Sequence, residues 1–199
     1  MARTLAAVGL VVAVGVGTLL HATSGLRSIT RETTRRIAVR ENPRGVPPAR
    51  LQLQDGRETS LRALEGRVVV ATFMYTSCRT LCPVVGARMN TIRMALGRAV
   101  DEGRVHFLSV SFDPAVDTPD KLAGFARNLH ASVDTWWVAR PRPDPAALLS
   151  AFGVTVIPAG PGMYVHNAAY YLIDRDQRLV GIFDENEPEA VLAAVKAML

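Results

Sequence analysis

The apolar residues of this chain change their spacing several times, and each spacing predicts a different element. Residues 5–20 carry no charge, which is typical of a signal sequence or a membrane-crossing helix. Residues 68–75 and 105–112 are mostly apolar and β-branched, as expected of strands that are buried on both faces. Between them, apolar residues recur every three or four positions over residues 85–100, which predicts an amphipathic helix.

The remaining patterns extend this alternation of strands and helices towards the C-terminus. They predict a helix opening at Thr118-Pro119, a strand at 132–139, a helix at 145–152, a hairpin over 170–183 and a closing helix at 188–199. Such an order predicts an α/β protein with a mixed central sheet flanked by helices, and the thioredoxin-like fold is the expected member of this class. In that fold, the reactive residues lie where the first central strand meets its helix.

Three sections of chain follow from these patterns. Residues 1–25 are predicted to be a signal anchor or a signal peptide, with Ala22 and Ser24 as small residues suited to a cleavage site. Residues 26–50 are rich in arginine and proline and show no sustained period, so they are interpreted as a stalk or linker. Residues 51–199 form the predicted globular domain.

Charge is distributed unevenly along the chain, and this distribution bears on nucleic-acid binding and on membrane topology. The net charge is +5, but residues 1–50 hold eight arginines against two glutamates. The remainder is close to neutral and lacks the basic surface that nucleic-acid binding requires, so nucleic acid is not an expected partner. Arginines after the apolar run, including Arg27 and Arg31, would place the domain in the cytoplasm by the positive-inside rule. The cysteine chemistry favours the opposite side of the membrane.

The only two cysteines, Cys78 and Cys82, lie four positions apart after the first buried strand, with three residues between them. Pro83 suits the first helical position, so both sulfurs are expected near a helix N-terminus, which favours thiolates. Three interpretations stay open: a structural disulfide, a catalytic dithiol and a soft-metal site. A disulfide across so short a loop removes little entropy, and redox thioredoxins separate their cysteines by two residues. Two thiolates with a histidine suit copper(I).

The chain has four histidines from which a third ligand would come. His21 lies in the apolar leader, and His130 ends a helix among polar residues. His106 lies within a buried strand and is better interpreted as a core residue. His166 stands just before a strand, in a loop that faces the cysteine helix in a thioredoxin-like fold, yet position alone does not distinguish a ligand from a solvated histidine.

Three segments in the same order resemble the Sco/SenC family of copper-binding oxidase assembly proteins: residues 66–83 with the cysteines, 109–119 with an Asp-Pro pair, and 165–174 with His166. The resemblance implies a thioredoxin-like fold in which Cys78, Cys82 and His166 bind one copper ion. It implies a metallochaperone at the inner membrane, facing the periplasm. The implied partner is cytochrome c oxidase subunit II or a similar copper client.

The resemblance leaves the roles of several residues and one alternative function undecided. Ser77 stands where many family members carry histidine. Asp117 is expected to cap the following helix, and two roles stay open for Asp113, in the turn after the strand or in support of the copper site. Neither aspartate is expected to bind the metal. Met163 is a further soft donor, although methionine is more often packing material. The alternative function is an enzyme, a thiol-disulfide reductase that keeps the oxidase cysteines reduced through Cys78 and Cys82.

Overall fold

The computed structural model describes residues 2–22 and 31–199, which include two compact units with a boundary between Asn42 and Pro43. In the first unit, helix α1 (Ala2–Ala22) is long and apolar enough over Thr4–His21 to cross a membrane, a property that signal sequences share. The suggested cleavage residue Ser24, together with residues 26–30 of the expected linker, lies outside the described residues.

Helix α2 (Arg31–Glu41) occupies part of the segment in which the sequence indicated only a linker. Glu32 forms ion pairs with Arg35 and Arg36 one turn further along, and such pairs stabilise a helix without any apolar period. A search for hydrophobic periodicity therefore does not find this helix.

The second unit contains one large sheet, one small sheet and the helices around them. Its strands are β1 (Arg44–Gly45), β2 (Arg50–Leu53), β3 (Glu58–Ser60), β4 (Val68–Met74), β5 (Val105–Ser111), β6 (Trp136–Arg142), β7 (Val156–Gly160), β8 (Met163–His166), β9 (Ala169–Ile173) and β10 (Arg178–Asp184). Its helices are α3 (Leu81–Ala95), α4 (Gly97–Asp101), α5 (Pro119–Asn128), α6 (Ala146–Phe152) and α7 (Pro188–Lys196), with a 3₁₀ turn at Leu61–Leu64.

The large sheet has the strand order β1-β10-β9-β4-β5-β6-β2-β3. Strands β4, β5 and β6 run parallel, and the other neighbouring pairs are antiparallel, which confirms the predicted mixed sheet. Every residue of β4 and β5 is buried. Their continuous apolar sequences thus reflect a position in the middle of the sheet with both faces covered.

Strands β7 and β8 form a separate two-stranded hairpin that the sequence patterns did not reveal. Pro158, Gly160 and Gly162 interrupt any strand-like run, and the register shifts between Pro158 and Gly160. Along β8 the side chains alternate in exposure, so Met163 and Val165 face outwards while Tyr164 and His166 face inwards. We call β7, β8 and the turn between them the histidine hairpin.

Candidate metal centre

The cysteine loop, residues 75–80, connects the end of β4 to the start of α3. Helix α3 begins at Leu81, so Cys82 lies inside its first turn and Pro83 is the third helical residue. The expected start at Pro83 is therefore two residues late. Proline is tolerated here because the first N–H groups of a helix have no partner within it.

Cys78 and Cys82 are both buried and both free thiols. The loop brings them together, because the backbone N–H of Cys82 donates to Sγ of Cys78 over 3.3 Å. The backbone N–H of Cys78 in turn donates to the carbonyl of Tyr75 at 3.2 Å, which closes a turn around the first sulfur. The hydroxyl of Thr80 lies 4.0 Å from the same sulfur.

The two thiols differ in acidity despite their proximity. Burial opposes ionisation of Cys78, but hydrogen bonds from the Cys82 thiol and backbone, and from Thr80, outweigh it and lower the pKa of Cys78. Burial, and the donation of its own S–H to Cys78, raise the pKa of Cys82 far above its usual range. Burial raises the pKa of Cys82, and the hydrogen bond that the Cys82 thiol donates widens the difference by lowering the pKa of Cys78. Cys78 is therefore the more acidic thiol of the pair, and Cys82 is the hydrogen-bond donor to it.

His166 is the last residue of the histidine hairpin and is half-buried. Its ring packs edge-on against Phe112, with centroids 5.0 Å apart, and lies 6.4 Å from the ring of Tyr75. Burial lowers the pKa of His166, so the imidazole is neutral near pH 7. A small pocket is lined by both His166 and Cys82, which places the predicted third residue beside the second cysteine at the start of α3.

The donor set fits a soft metal. The Nδ1 atom of His166 is buried and has no hydrogen-bond partner among the described residues, an unusual state for a polar atom. A neutral imidazole with an available nitrogen and a pair of thiols are the ligands that copper(I) prefers. Within residues 2–22 and 31–199, however, no group of three or more Cys, His, Asp and Glu side chains is already gathered as a metal site.

Asp117 does not cap helix α5, contrary to expectation. The capping residue is Thr118, which makes no side-chain capping bond. The carboxylate of Asp117 is fully buried and instead accepts hydrogen bonds from Thr76 in the cysteine loop and Ser111 at the end of β5. The expectation was wrong because the partner lies 41 positions away in sequence, beyond the reach of a local pattern.

Asp113 lies on the other side of the site. Its carboxylate accepts a hydrogen bond of 3.0 Å from the hydroxyl of Tyr164 on the histidine hairpin. This bond raises the pKa of Tyr164, so the hydroxyl stays protonated as a donor.

The other candidates are distributed around the domain. His106 is a buried residue of β5, and neither ring nitrogen has a partner among the residues described. The side chain of Met163 is 55% exposed, and it lies on the outer face of the histidine hairpin. A wider cavity of about 390 Å³ opens beside Cys78, between α3 and α5, and His130 lines it. Nothing in the local sequence around His130 indicated this position.

A family model described as SCO1/SenC matches residues 38–199. The chain belongs to the SCO1/SenC family. It is 31% identical over 159 residues to the SCO1 protein homolog of Bacillus subtilis (strain 168), an alignment that covers 76% of this chain and 81% of the relative. The resemblance inferred from the three sequence segments is thereby confirmed.

Solved structures of Sco proteins share the fold. BsSco, described as a member of the Sco family of cytochrome c oxidase assembly proteins with a disulfide switch, is 28% identical. The match has a TM-score of 0.66 and covers 79% of this chain and 94% of BsSco. ScoI of Bradyrhizobium japonicum, solved with copper bound, is 25% identical with a TM-score of 0.62, covering 78% and 99% of the two chains. The thioredoxin-like fold expected for this SCO1/SenC protein is confirmed.

Proposed function

We propose that this SCO1/SenC protein binds one copper(I) ion through Cys78, Cys82 and His166 and delivers it to the copper centre of a cytochrome c oxidase. One observation carries the proposal: the imidazole of His166, whose buried Nδ1 has no hydrogen-bond partner in the described part of the chain, lines the same pocket as one of two adjacent free thiols. Membership of the family, and the copper bound to ScoI of Bradyrhizobium japonicum, support copper as the cargo.

The residues prepare the site in different ways. Cys78 offers a sulfur that ionises readily, because its neighbours donate hydrogen bonds to it. Cys82 must lose its proton when the metal binds, and metal binding supplies the free energy for that loss. His166 is neutral and therefore ready to donate its nitrogen lone pair. A site with two sulfurs and one nitrogen leaves room for a ligand of the client to approach.

The location follows from the same proposal. Helix α1 acts as the anchor or signal that takes the domain across the cytoplasmic membrane. The copper client is an oxidase subunit such as subunit II, whose copper centre lies on the outer side of that membrane. Anchoring both proteins in one membrane raises the effective concentration of the client.

The difference in pKa between the two thiols favours a second candidate function, a thiol-disulfide reductase. The Cys78 thiolate would attack a client disulfide, form a mixed disulfide and release one client thiolate. Cys82 would then lose its proton and attack Sγ of Cys78, which releases the second client thiol. The client gains two electrons and the Cys78–Cys82 pair becomes a disulfide. His166 takes no part in these steps.

Anaerobic copper(I) titration of the full chain in detergent tests the copper site. The wild type is expected to bind one copper ion, and the Cys78→Ser, Cys82→Ser double variant none. His166→Asn is expected to weaken copper binding 10-fold or more, whereas His130→Asn changes an exposed histidine and leaves the affinity unchanged. Tight one-to-one binding by the double variant would refute the ligand assignment.

Oxidase maturation in cells distinguishes the two functions. A copper chaperone requires His166, so cells carrying His166→Asn are expected to assemble less active oxidase. In the same variant the dithiol is expected to react with a model disulfide at the wild-type rate. Normal oxidase assembly with His166→Asn would favour the reductase instead.

A further inference from the structure

The chain that follows β5 passes between the two halves of the proposed copper site. The backbone N–H of Phe112 donates to the carbonyl of Met74, at the end of β4, over 3.0 Å. The Phe112 ring contacts Tyr75 on the cysteine side at 5.2 Å and His166 on the other side at 5.0 Å. A change in this segment therefore reaches both the cysteine loop and the histidine hairpin.

Asp117 fixes the cysteine half. Its carboxylate accepts from the backbone N–H of Thr76 at 3.0 Å and from the hydroxyls of Thr76 and Ser111. Thr76 is two residues before Cys78, so these bonds restrain the loop directly ahead of the first sulfur. A buried carboxylate with three donors is costly to displace, because each donor would lose its partner.

Asp113 fixes the histidine half. The hydroxyl of Tyr164 donates to it at 3.0 Å, and Tyr164 precedes His166 by two positions on the same inward face of β8. The ring of Tyr164 also packs edge-on against Phe112 and Tyr75, at 5.5 and 5.1 Å. The hydroxyl bond therefore sets how deeply the inner face of the hairpin lies against the cysteine loop.

The two aspartates are themselves joined. The backbone N–H of Asp117 donates to the carbonyl of Asp113 at 2.9 Å, and the Ser111 hydroxyl accepts from the N–H of Asp113 while it donates to Asp117. Residues 113–117 thus form a hydrogen-bonded turn with one carboxylate directed to each half of the site. We call this segment the aspartate bracket.

We propose that Asp113 and Asp117 are positioning residues, and that the aspartate bracket sets the separation between His166 and the two cysteine sulfurs. The proposal rests on the copper function proposed above and deepens it. The bracket acts through Tyr164 on the histidine side and through Thr76 on the cysteine side, and neither aspartate binds the metal. Residues that orient metal ligands in this way typically change metal affinity 10- to 100-fold when they are altered.

The histidine arm is tested with Tyr164→Phe, which removes the hydroxyl and keeps the ring. Copper(I) affinity of the full chain is expected to fall about 10-fold. NMR signals of the His166 imidazole in the metal-free protein are expected to shift, while the alkylation rate of Cys78 stays within twofold of wild type. Tyr170→Phe is the matched control, because the buried Tyr170 hydroxyl has no partner among the described residues.

Variants of Asp113 separate positioning from a general loss of structure. Asp113→Ala is expected to match Tyr164→Phe, and the double variant to be no weaker than either single one, because both changes remove the same bond. Asp113→Asn keeps an acceptor for the Tyr164 hydroxyl, so it is expected to restore affinity to within about threefold of wild type.

The cysteine arm gives the opposite pattern. Thr76→Val removes one donor to Asp117 with little change in shape, and it is expected to alter the alkylation rate of Cys78 while the His166 signals remain in place. Thr76→Ser keeps the hydroxyl and is expected to behave as wild type. If Thr76→Val fails to fold, Thr76→Ser still tests the proposal. A changed alkylation rate of Cys78 in Thr76→Ser, which keeps the hydroxyl, would contradict it.

The outcomes distinguish this proposal from the copper function. If His166→Asn weakens copper binding but Tyr164→Phe and Asp113→Ala leave affinity and the His166 signals unchanged, the bracket is refuted and the function stands. If His166→Asn has no effect on copper while Tyr164→Phe still shifts the His166 signals, the ligand assignment is refuted and the positioning contact is supported.

Discussion

The cysteine loop and the histidine hairpin contribute to one site but have different supports. The cysteine loop extends from β4, a strand whose residues are all buried. Strand β4 pairs in parallel with β5, which is equally buried. The histidine hairpin is a two-stranded sheet outside the main one, and β7 is mostly exposed. One half of the site is therefore part of the core, whereas the other is attached to its surface.

The difference shows that one site can combine a stable cysteine loop with a histidine whose position is adjustable. A two-stranded hairpin is marginally stable by itself, so its position depends on contacts with the rest of the domain. Those contacts are the inward aromatic face of β8 and the side chain of Asn167, which bonds the backbone of Thr155 and Gly153. The thiols are held firmly, and the position of His166 is set by a few removable bonds.

The largest expected effect is the difference in reactivity between the two thiols, in the cysteine half of the site. At pH 7 iodoacetamide is expected to modify Cys78 and to spare Cys82 in the reduced, metal-free protein, because only Cys78 has a lowered pKa. The Cys78 rate should rise as pH increases through that lowered pKa. Mass mapping of the modified chain measures the selectivity. In urea both cysteines should react alike, and equal rates in the folded protein would contradict the assignment of Cys78 as the more acidic thiol.

A stability measurement separates the two arms of the aspartate bracket. Asp117→Ala leaves the buried hydroxyl of Ser111 and the two half-buried donors of Thr76 without an acceptor, and it is expected to lower the free energy of unfolding by about 2–4 kcal/mol. Asp113→Ala removes one bond at a half-buried position and should cost about 1 kcal/mol or less. Urea unfolding measures both. Similar losses for the two variants would show that the halves are equally integrated in the core.

The pH dependence of stability tests the core through His106, which pairs with Val69 at the end of β4 and β5 that is remote from the cysteine loop. Burial, with a smaller contribution from Arg67, lowers the pKa of His106 to about 3. An unfolded histidine titrates near about 6.5. Between these values the unfolded state binds a proton that the folded state does not, so stability falls as pH drops, by at most about 1.4 kcal/mol per unit. His106→Phe should flatten this part of the profile, measured by urea unfolding from pH 7 to 4. An unchanged slope would refute the linkage.

The smallest effect is expected on the outer face of the histidine hairpin. Val165 is 60% exposed, so Val165→Thr should change the free energy of unfolding by no more than about 0.5 kcal/mol. The matched change Val70→Thr places a hydroxyl in the fully buried β4 and should cost about 1–3 kcal/mol. Thermal unfolding of the two variants compares them, and a comparable loss for Val165→Thr would mean that the outer face is packed.

Some features of the site were predictable because their signals are local. The buried runs of β4 and β5 identified the central strands, and the spacing of Cys78 and Cys82 identified the reactive loop. The histidine hairpin was missed because proline and glycines break its alternation, and the start of α3 was placed late because Pro83 was taken as the first helical residue. Which thiol ionises was not predictable, since it depends on which sulfur receives hydrogen bonds.

The sequence by itself determined the α/β alternation, the family resemblance, the loop with two cysteines and the apolar N-terminal segment, because each depends on segments of residues that are close together in the chain. Only the tertiary structure decided the roles of Asp113 and Asp117, whose partners Tyr164 and Thr76 are 51 and 41 positions away. Hydrogen bonds form between atoms about 3 Å apart whatever their separation in the chain. The sequence around an aspartate does not tell whether its carboxylate caps a helix or positions a loop. The two roles differ in the hydrogen-bond partner, which is brought to the carboxylate only when the chain folds.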